Sequence, residues 1–325
     1  MEPVRLGTSD LHLSPIVLGC MSYGMSDRGT HPWSLPEDQS RPYIQAALEA
    51  GLTTFDTANM YSDGTSEEIV GRALADFARR DEVQIATKCF FELASEPGSK
   101  GLSRPAIATA IDGSLRRLGT DYVDLYQIHR WDPDVPIEET MEALHGVVQA
   151  GKARFIGASS MWAWQFAKAQ EVARTNGWTP FVSMQDQYNL VQREEERDMH
   201  PMCLDQGVGV IPWSPLARGR LAREWDDLST GRSTSDLVTR NLYQDAEDSN
   251  RAIATAVGQV AAARGIARAQ VALAWVRQQS AVTAPIVGAT KPHHLADAIA
   301  SAALTLTAEE LAVLEGPYTP REPGF

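Results

Sequence analysis

The chain has 325 residues, 43% of them hydrophobic and 22% charged, an ordinary globular composition that excludes extended disorder and fibrous repeats. Lys and Arg number 29 against 42 Asp and Glu, a net charge of −13 with a pI near 5.0. Such a surface repels phosphate backbones and argues against nucleic-acid partners, so an anionic ligand has to be held by a local positive site. Cys20, Cys89 and Cys203 form no CxxC pair, which speaks against a structural metal and for a reduced, cytoplasmic setting. The N-terminal segment has no basic-then-apolar leader and no run reaches 18 apolar residues, so no membrane partner is expected.

Eight short apolar runs recur along the chain, at residues 16–18, 54–56, 83–87, 123–128, 154–158, 181–185, 208–212 and 284–287. Each is too short for a buried helix and most are rich in Val, Ile and Phe, so they predict strands. A hairpin precedes them, residues 4–5 against 11–13 around Thr8-Ser9-Asp10, and would close one end of the fold. Between the runs lie helical patterns such as Ile44, Ala47 and Leu48, then Ile69, Leu74 and Phe77, then Ile107, Ile111, Leu115 and Leu118. Gly51, Gly119, Gly151 and Gly177 each follow such a pattern, where a left-handed residue ends a helix, and Ser103 before Arg104-Pro105 reads as an N-cap. The acidic run at 193–199, REEERDM, reads as an exposed first helical turn, and 218–251 as an inserted loop leading into an Ala-rich helix at 252–264.

Eight strand–helix units predict a parallel sheet closed into an α/β (β/α)8 barrel, one domain over residues 1–325. An open doubly wound sheet would want GxGxxG after its first strand, and Leu18-Gly19-Cys20-Met21-Ser22 lacks it. A barrel collects functional side chains at the C-terminal ends of its strands. There the sequence places Asp56, Tyr61 in DTANMYSDG, Lys88 in IATKCF and His129 in LYQIHRWD.

Taken singly each has a plain structural explanation: a cap, a loop aromatic, an ion pair, a hydrogen-bonded histidine. Together, on three consecutive strands, they form an acid/base set. An ammonium at Lys88 lowers the pKa of a nearby phenol, Asp56 holds that ammonium, and His129 hydrogen-bonds a substrate oxygen near Tyr61. The set suits carbonyl–alcohol interconversion but has no redox centre, so hydride has to come from a bound cofactor. No metal is expected.

These four residues resemble the catalytic tetrad of the aldo-keto reductases in type, order and strand position. FDTANMYSDGTSEEIVGRAL, SLRRLGTDYVDLYQIHRWD, GKARFIGASS, QYNL, IPWSPLARGRL and PIVGATKPHHLADA extend the resemblance from Arg5 to Ala303. The texture is that of bacterial and fungal members with a long loop after the seventh strand. The resemblance implies NADP(H) bound in extended form. Gly19, Cys20, Met21 and Asp56 would lie beside it, and Ser159, Ser160 and Gln185 would hold the nicotinamide carboxamide. Trp213 would stack on the ring, and Ser214, Pro215, Leu216, Arg218 and Gly219 would follow the pyrophosphate. Gly288, Thr290 and Lys291 would meet the 2′-phosphate, with His294 and Asp297 close by; a phosphate after the last strands of a barrel suits a helix N-terminus and a lysine. Ser160, Trp213 and Ala298 stand where related members commonly have Asn, Tyr and Asn.

Tyr23, Phe90, Trp131 and Trp162, with Phe91, also follow strands and predict an aromatic substrate pocket. The leading expectation is an NADP(H)-dependent reductase of small aldehydes or ketones, for which a homo-oligomer is an open question. Two alternatives stay beside it: an NADP(H)-binding redox-sensing regulatory protein with vestigial turnover, and a lyase or isomerase using Lys88 as a Schiff-base nucleophile.

Overall fold

The computed structural model describes residues 1–29, 31–227, 242–243 and 246–321; much of the expected inserted loop lies outside these. A hairpin, β1 (Val4–Arg5) and β2 (His12–Leu13), precedes eight parallel strands. These are β3 (Val17–Gly19), β4 (Thr54–Asp56), β5 (Gln84–Cys89), β6 (Val123–Ile128), β7 (Ala153–Ser159), β8 (Phe181–Gln185), β9 (Gly209–Val210) and β10 (Ile286–Val287). Each strand pairs with the next through β9, and β10 returns to β3. Hydrogen bonds from Val210 N to Ala281 O, Thr283 N to Val210 O and Ile286 N to Pro212 O join the two ends into the expected (β/α)8 barrel. Strands β9 and β10 are shorter than the apolar runs that announced them because Pro212 and Pro285 have no N–H to give a ladder.

The helices are α1 (Glu37–Glu49), α2 (Thr65–Phe77), α3 (Arg104–Leu118), α4 (Ile137–Gln149), α5 (Ala163–Asn176) and α6 (Met199–Gln206). After the long connection come α7 (Glu247–Arg264), α8 (Arg268–Arg277), α9 (Pro292–Ser301) and α10 (Ala308–Glu315). Ser103 caps α3 by accepting from Ala106 N. Gly119 and Gly177 end α3 and α5 at φ of 65° and 67°, as their positions required. Helix α7 begins at Glu247, five residues before the Ala-rich stretch, with Glu247 and Asp248 in its first turn, where acidic side chains complement the helix dipole.

Alternation along the strands sorts the barrel into two interior layers. Leu6, Leu11 and Leu13 of the hairpin region pack on Val17, Ala86, Leu125 and Ile211, forming an apolar plug at the bottom. One step up, two residues beyond Ala86 and Leu125, stand Lys88 and Gln127, and Asp56 and Gln185 complete a polar layer.

The run REEERDM departs from its expected exposure. Residues Glu194–Glu196 form a 3-10 turn in which Glu194 and Glu195 are buried. Glu194 is held by Arg197, the Tyr318 hydroxyl and Arg321 N, so the C-terminal segment folds over the turn. Burial, with Asp186, Glu194 and Asp198 nearby, pushes the Glu195 carboxyl up to about 9. An acid raised in this way contributes stability that is complete below the unfolded value and is lost as pH climbs toward about 9. The thermal midpoint should therefore fall between about pH 6 and about pH 9.5, and fall less in Glu195→Gln. Parallel melting curves for both proteins would place the loss elsewhere.

Candidate active site

Strand β5 carries Lys88 into the barrel at full burial. Its ammonium donates to Asp56 Oδ2 at 2.6 Å, to Thr57 O at 2.8 Å and to the Tyr61 hydroxyl at 3.4 Å. Asp56 Oδ1 accepts from Gln127 Nε2 at 3.2 Å and Gln185 Nε2 at 3.0 Å, so both oxygens of the carboxylate are satisfied. The couplings to Asp56 and Tyr61 outweigh burial and raise the Lys88 pKa. A lysine held as ammonium is no Schiff-base nucleophile, which removes the observation the lyase alternative needed.

Tyr61 and His129 meet edge to face with ring centroids 6.0 Å apart, and both are 9% exposed at the cavity wall. Burial, followed by the positive charges of Lys88 and Arg130, drives the His129 pKa well below its ordinary value, so the ring is neutral at pH 7. For Tyr61 the balance differs from the sequence expectation. Burial is the largest effect and raises the phenol pKa; Lys88 lowers it, but Asp56 works against Lys88, and the net direction is upward. The resting group is a neutral phenol beside an ammonium, arranged so that the charge of Lys88 acts when the proton leaves.

A cavity of about 970 Å³ opens above these residues. Its walls include Gly19, Met21, Asp56, Tyr61, His129, Ser159, Gln185, Trp213, Ser214, Pro215, Leu216, Arg218, Gly219, Gly288, Thr290, Lys291, His294 and Asp297. The residues expected along a cofactor thus share one space with the acid/base set, with two exceptions. Cys20 is fully buried behind the wall, its thiol directed at Leu18 O. Ser160 lies behind Trp213, accepting from the indole Nε1 at 3.1 Å. Burial pushes all three thiols up, Cys89 to about 12, so none is a poised nucleophile.

The expected aromatic pocket needs correction. Tyr23 is fully buried, stacks parallel to Tyr43 and donates to Ala289 O, so it is a core residue. Phe90 packs against the core and edge to face on Phe91. Trp131 packs on the core and against Trp164. Trp162 precedes α5, 45% exposed, beside a second cavity near Glu194, Glu195 and Met199. The cavity wall is built instead by Phe91, 5.1 Å from the His129 ring, with His31, Trp33, Leu35, Met60 and Arg130. His31, Trp33 and Leu35 belong to a loop without periodicity, which sequence reading could not aim. Arg130 had a signal, its place directly after His129 at a strand end.

The profile of the Aldo/keto reductase family matches residues 15–317. The chain belongs to this family. It is 46% identical over 340 aligned positions to a versiconal hemiacetal acetate reductase of Aspergillus parasiticus, covering 99% of this chain and 98% of the relative. Aldo-keto reductases of Fusarium vanettenii and Alternaria alternata are each 42% identical, covering 98% of this chain and 91% and 92% of their own lengths. Membership and these relatives support carbonyl reduction by an oxidoreductase that works with a nicotinamide cofactor on small carbonyl or alcohol compounds. Among the described residues no helix is long and apolar enough to cross a membrane.

The Lys88–Asp56 pair gives a stability test. Lys88→Met leaves a buried carboxylate without its counter-ion and should cost about 3–5 kcal/mol in urea unfolding. Adding Asp56→Asn to Lys88→Met should recover part of that loss. A Lys88→Met protein as stable as wild type would contradict a buried, mutually dependent pair.

Proposed function

We propose that this aldo-keto reductase reduces an aldehyde or ketone with NADP(H), Tyr61 serving as general acid and, in reverse, as general base. The observation that carries the reading is a neutral Tyr61 phenol 3.4 Å from the Lys88 ammonium, in one cavity wall with a neutral His129. A neutral imidazole donates one hydrogen bond to a carbonyl oxygen without competing for its proton. Tyr61 passes its proton to the same oxygen, and Lys88 stabilises the phenolate that remains while Asp56 keeps Lys88 in place.

The nicotinamide, when bound, supplies the hydride. The residues present fit such a group. Trp213 offers an aromatic face fixed by its bond to Ser160, and Gln185 Nε2 is engaged by Asp56, leaving its carbonyl oxygen for a carboxamide. Arg218 and Gly219 line the same cavity, bringing a guanidinium and a backbone without a side chain to where a pyrophosphate would lie. Helix α9 starts at Pro292 without a side-chain cap, beside exposed Lys291. Burial lowers the His294 pKa to about 4, and Nδ1 accepts from Thr290 N, so this histidine shapes the turn as a neutral ring. Ala298 is buried in the core and has no polar side chain to offer adenine. The same reading makes residues 1–325 one domain acting in the cytoplasm.

Tyr61→Phe should remove most carbonyl reduction, by about 10²–10⁴-fold, while cofactor affinity measured by fluorescence titration stays near wild type. Turnover close to wild type, where chemistry limits the rate, would sink the assignment and favour a regulatory cofactor-binding role. Lys291→Ala should weaken NADPH binding by roughly 1.5–3 kcal/mol, about one to two decades, and leave NADH nearly unaffected. Equal losses for the two cofactors would show that Lys291 does not read the 2′-phosphate.

A further inference from the structure

We propose that Arg130 reads a carboxylate on the substrate, so that the preferred substrates are aldehydes or ketones carrying an acid group on an apolar body. This rests on the carbonyl-reducing reading above and narrows its substrate class. Arg130 follows β6 directly after His129 and shares the cavity wall with Tyr61, His129, Met60, Phe91 and Trp33. Its guanidinium donates from Nη1 to His129 O at 3.1 Å, which fixes the side chain against the acid/base set.

The charge of Arg130 lacks the carboxylate that balances several other part-buried arginines. Part-buried Arg80, Arg117 and Arg193 each sit on a carboxylate: Asp124, Glu67 with Glu96, and Glu196. Arg277, which also forms no salt bridge among the described residues, donates to Ser301 O at the C-terminal end of α9, where the helix dipole is negative. Arg130 has neither compensation. Among the described residues it forms no salt bridge; its guanidinium hydrogen-bonds the His129 carbonyl, and burial lowers its pKa. A withdrawn cation left without an anion is costly, and one on a cavity wall gains its partner when a ligand binds. A guanidinium fork matches a carboxylate in a bidentate pair. With the protein at net −13, an acidic substrate has no long-range attraction to rely on and needs such a local cation. One guanidinium among Met60, Phe91 and Trp33 suits a monoanion with an apolar body; a phosphate dianion would want further donors.

The test compares 2-, 3- and 4-formylbenzoate with their methyl esters, which keep shape and lose charge, using NADPH and wild type, Arg130→Gln and Arg130→Lys. For the best isomer, wild type should favour the acid over its ester in kcat/KM by about ten- to hundredfold. Arg130→Gln should bring that ratio close to one, and Arg130→Lys should keep part of it. A wild-type ratio at or below one for all three isomers overturns the proposal. So does an equal loss for acid and ester in Arg130→Gln, which would make Arg130 a support for Tyr61. Calorimetric binding of the formylbenzoates to wild type and Arg130→Gln reads the anion site without turnover. Arg130-dependent binding in a protein that reduces no carbonyl would sustain the anion site and sink the reductase reading; reduction without Arg130-dependent discrimination would do the reverse.

Discussion

The ion pair between Lys88 and Asp56, buried in the centre of the barrel, is the constraint on which the site depends. An ammonium at full burial persists only if every donor finds an acceptor, and here the acceptors are Asp56, the Thr57 carbonyl and the Tyr61 hydroxyl. The carboxylate in turn requires Gln127 and Gln185 on its second oxygen. Residues from four strands and the loop after β4 are thereby locked to one another. The apolar hairpin plug below them removes water from the opposite side and makes the polar layer a dry one.

Dryness decides protonation. With Lys88 partly neutralised by Asp56, burial dominates at Tyr61 and keeps its proton on; at His129 burial and two neighbouring cations keep a second proton off. One environment thus yields a hydrogen-bond donor that is not an acid beside an acid that is not ionised. Both states follow from a low dielectric and fixed charges, which move a histidine well below its ordinary range and a phenol above its own.

Around this centre the molecule spends its cations locally. An acidic surface leaves little general attraction for anions, yet Arg130 at the acid/base end and Arg218 and Lys291 farther along the chain all face one cavity. The division suits a protein whose anionic ligands are recognised by short contacts, with the far field working against them.

Much of this was legible from the residues alone. Eight apolar runs, the hairpin, the Ser103 cap and the left-handed glycines rest on local rules of periodicity and backbone sterics, and so did the placement of Asp56, Tyr61, Lys88 and His129 at strand ends. What the local pattern could not carry was direction and burial. Tyr23, Phe90, Trp131 and Trp162 follow strands as Phe91 does, yet only Phe91 turns into the cavity, because a loop side chain has no fixed period. The run REEERDM looked solvated until the C-terminal segment, more than a hundred residues away, supplied Tyr318 and Arg321 to cover it. The upward shift of Tyr61 likewise depends on how much water the assembled barrel excludes. The sequence by itself determined which groups lie at the ends of the strands; the tertiary structure decided which face one another in a dry space, since burial and electrostatic balance are sums over residues distant in the chain.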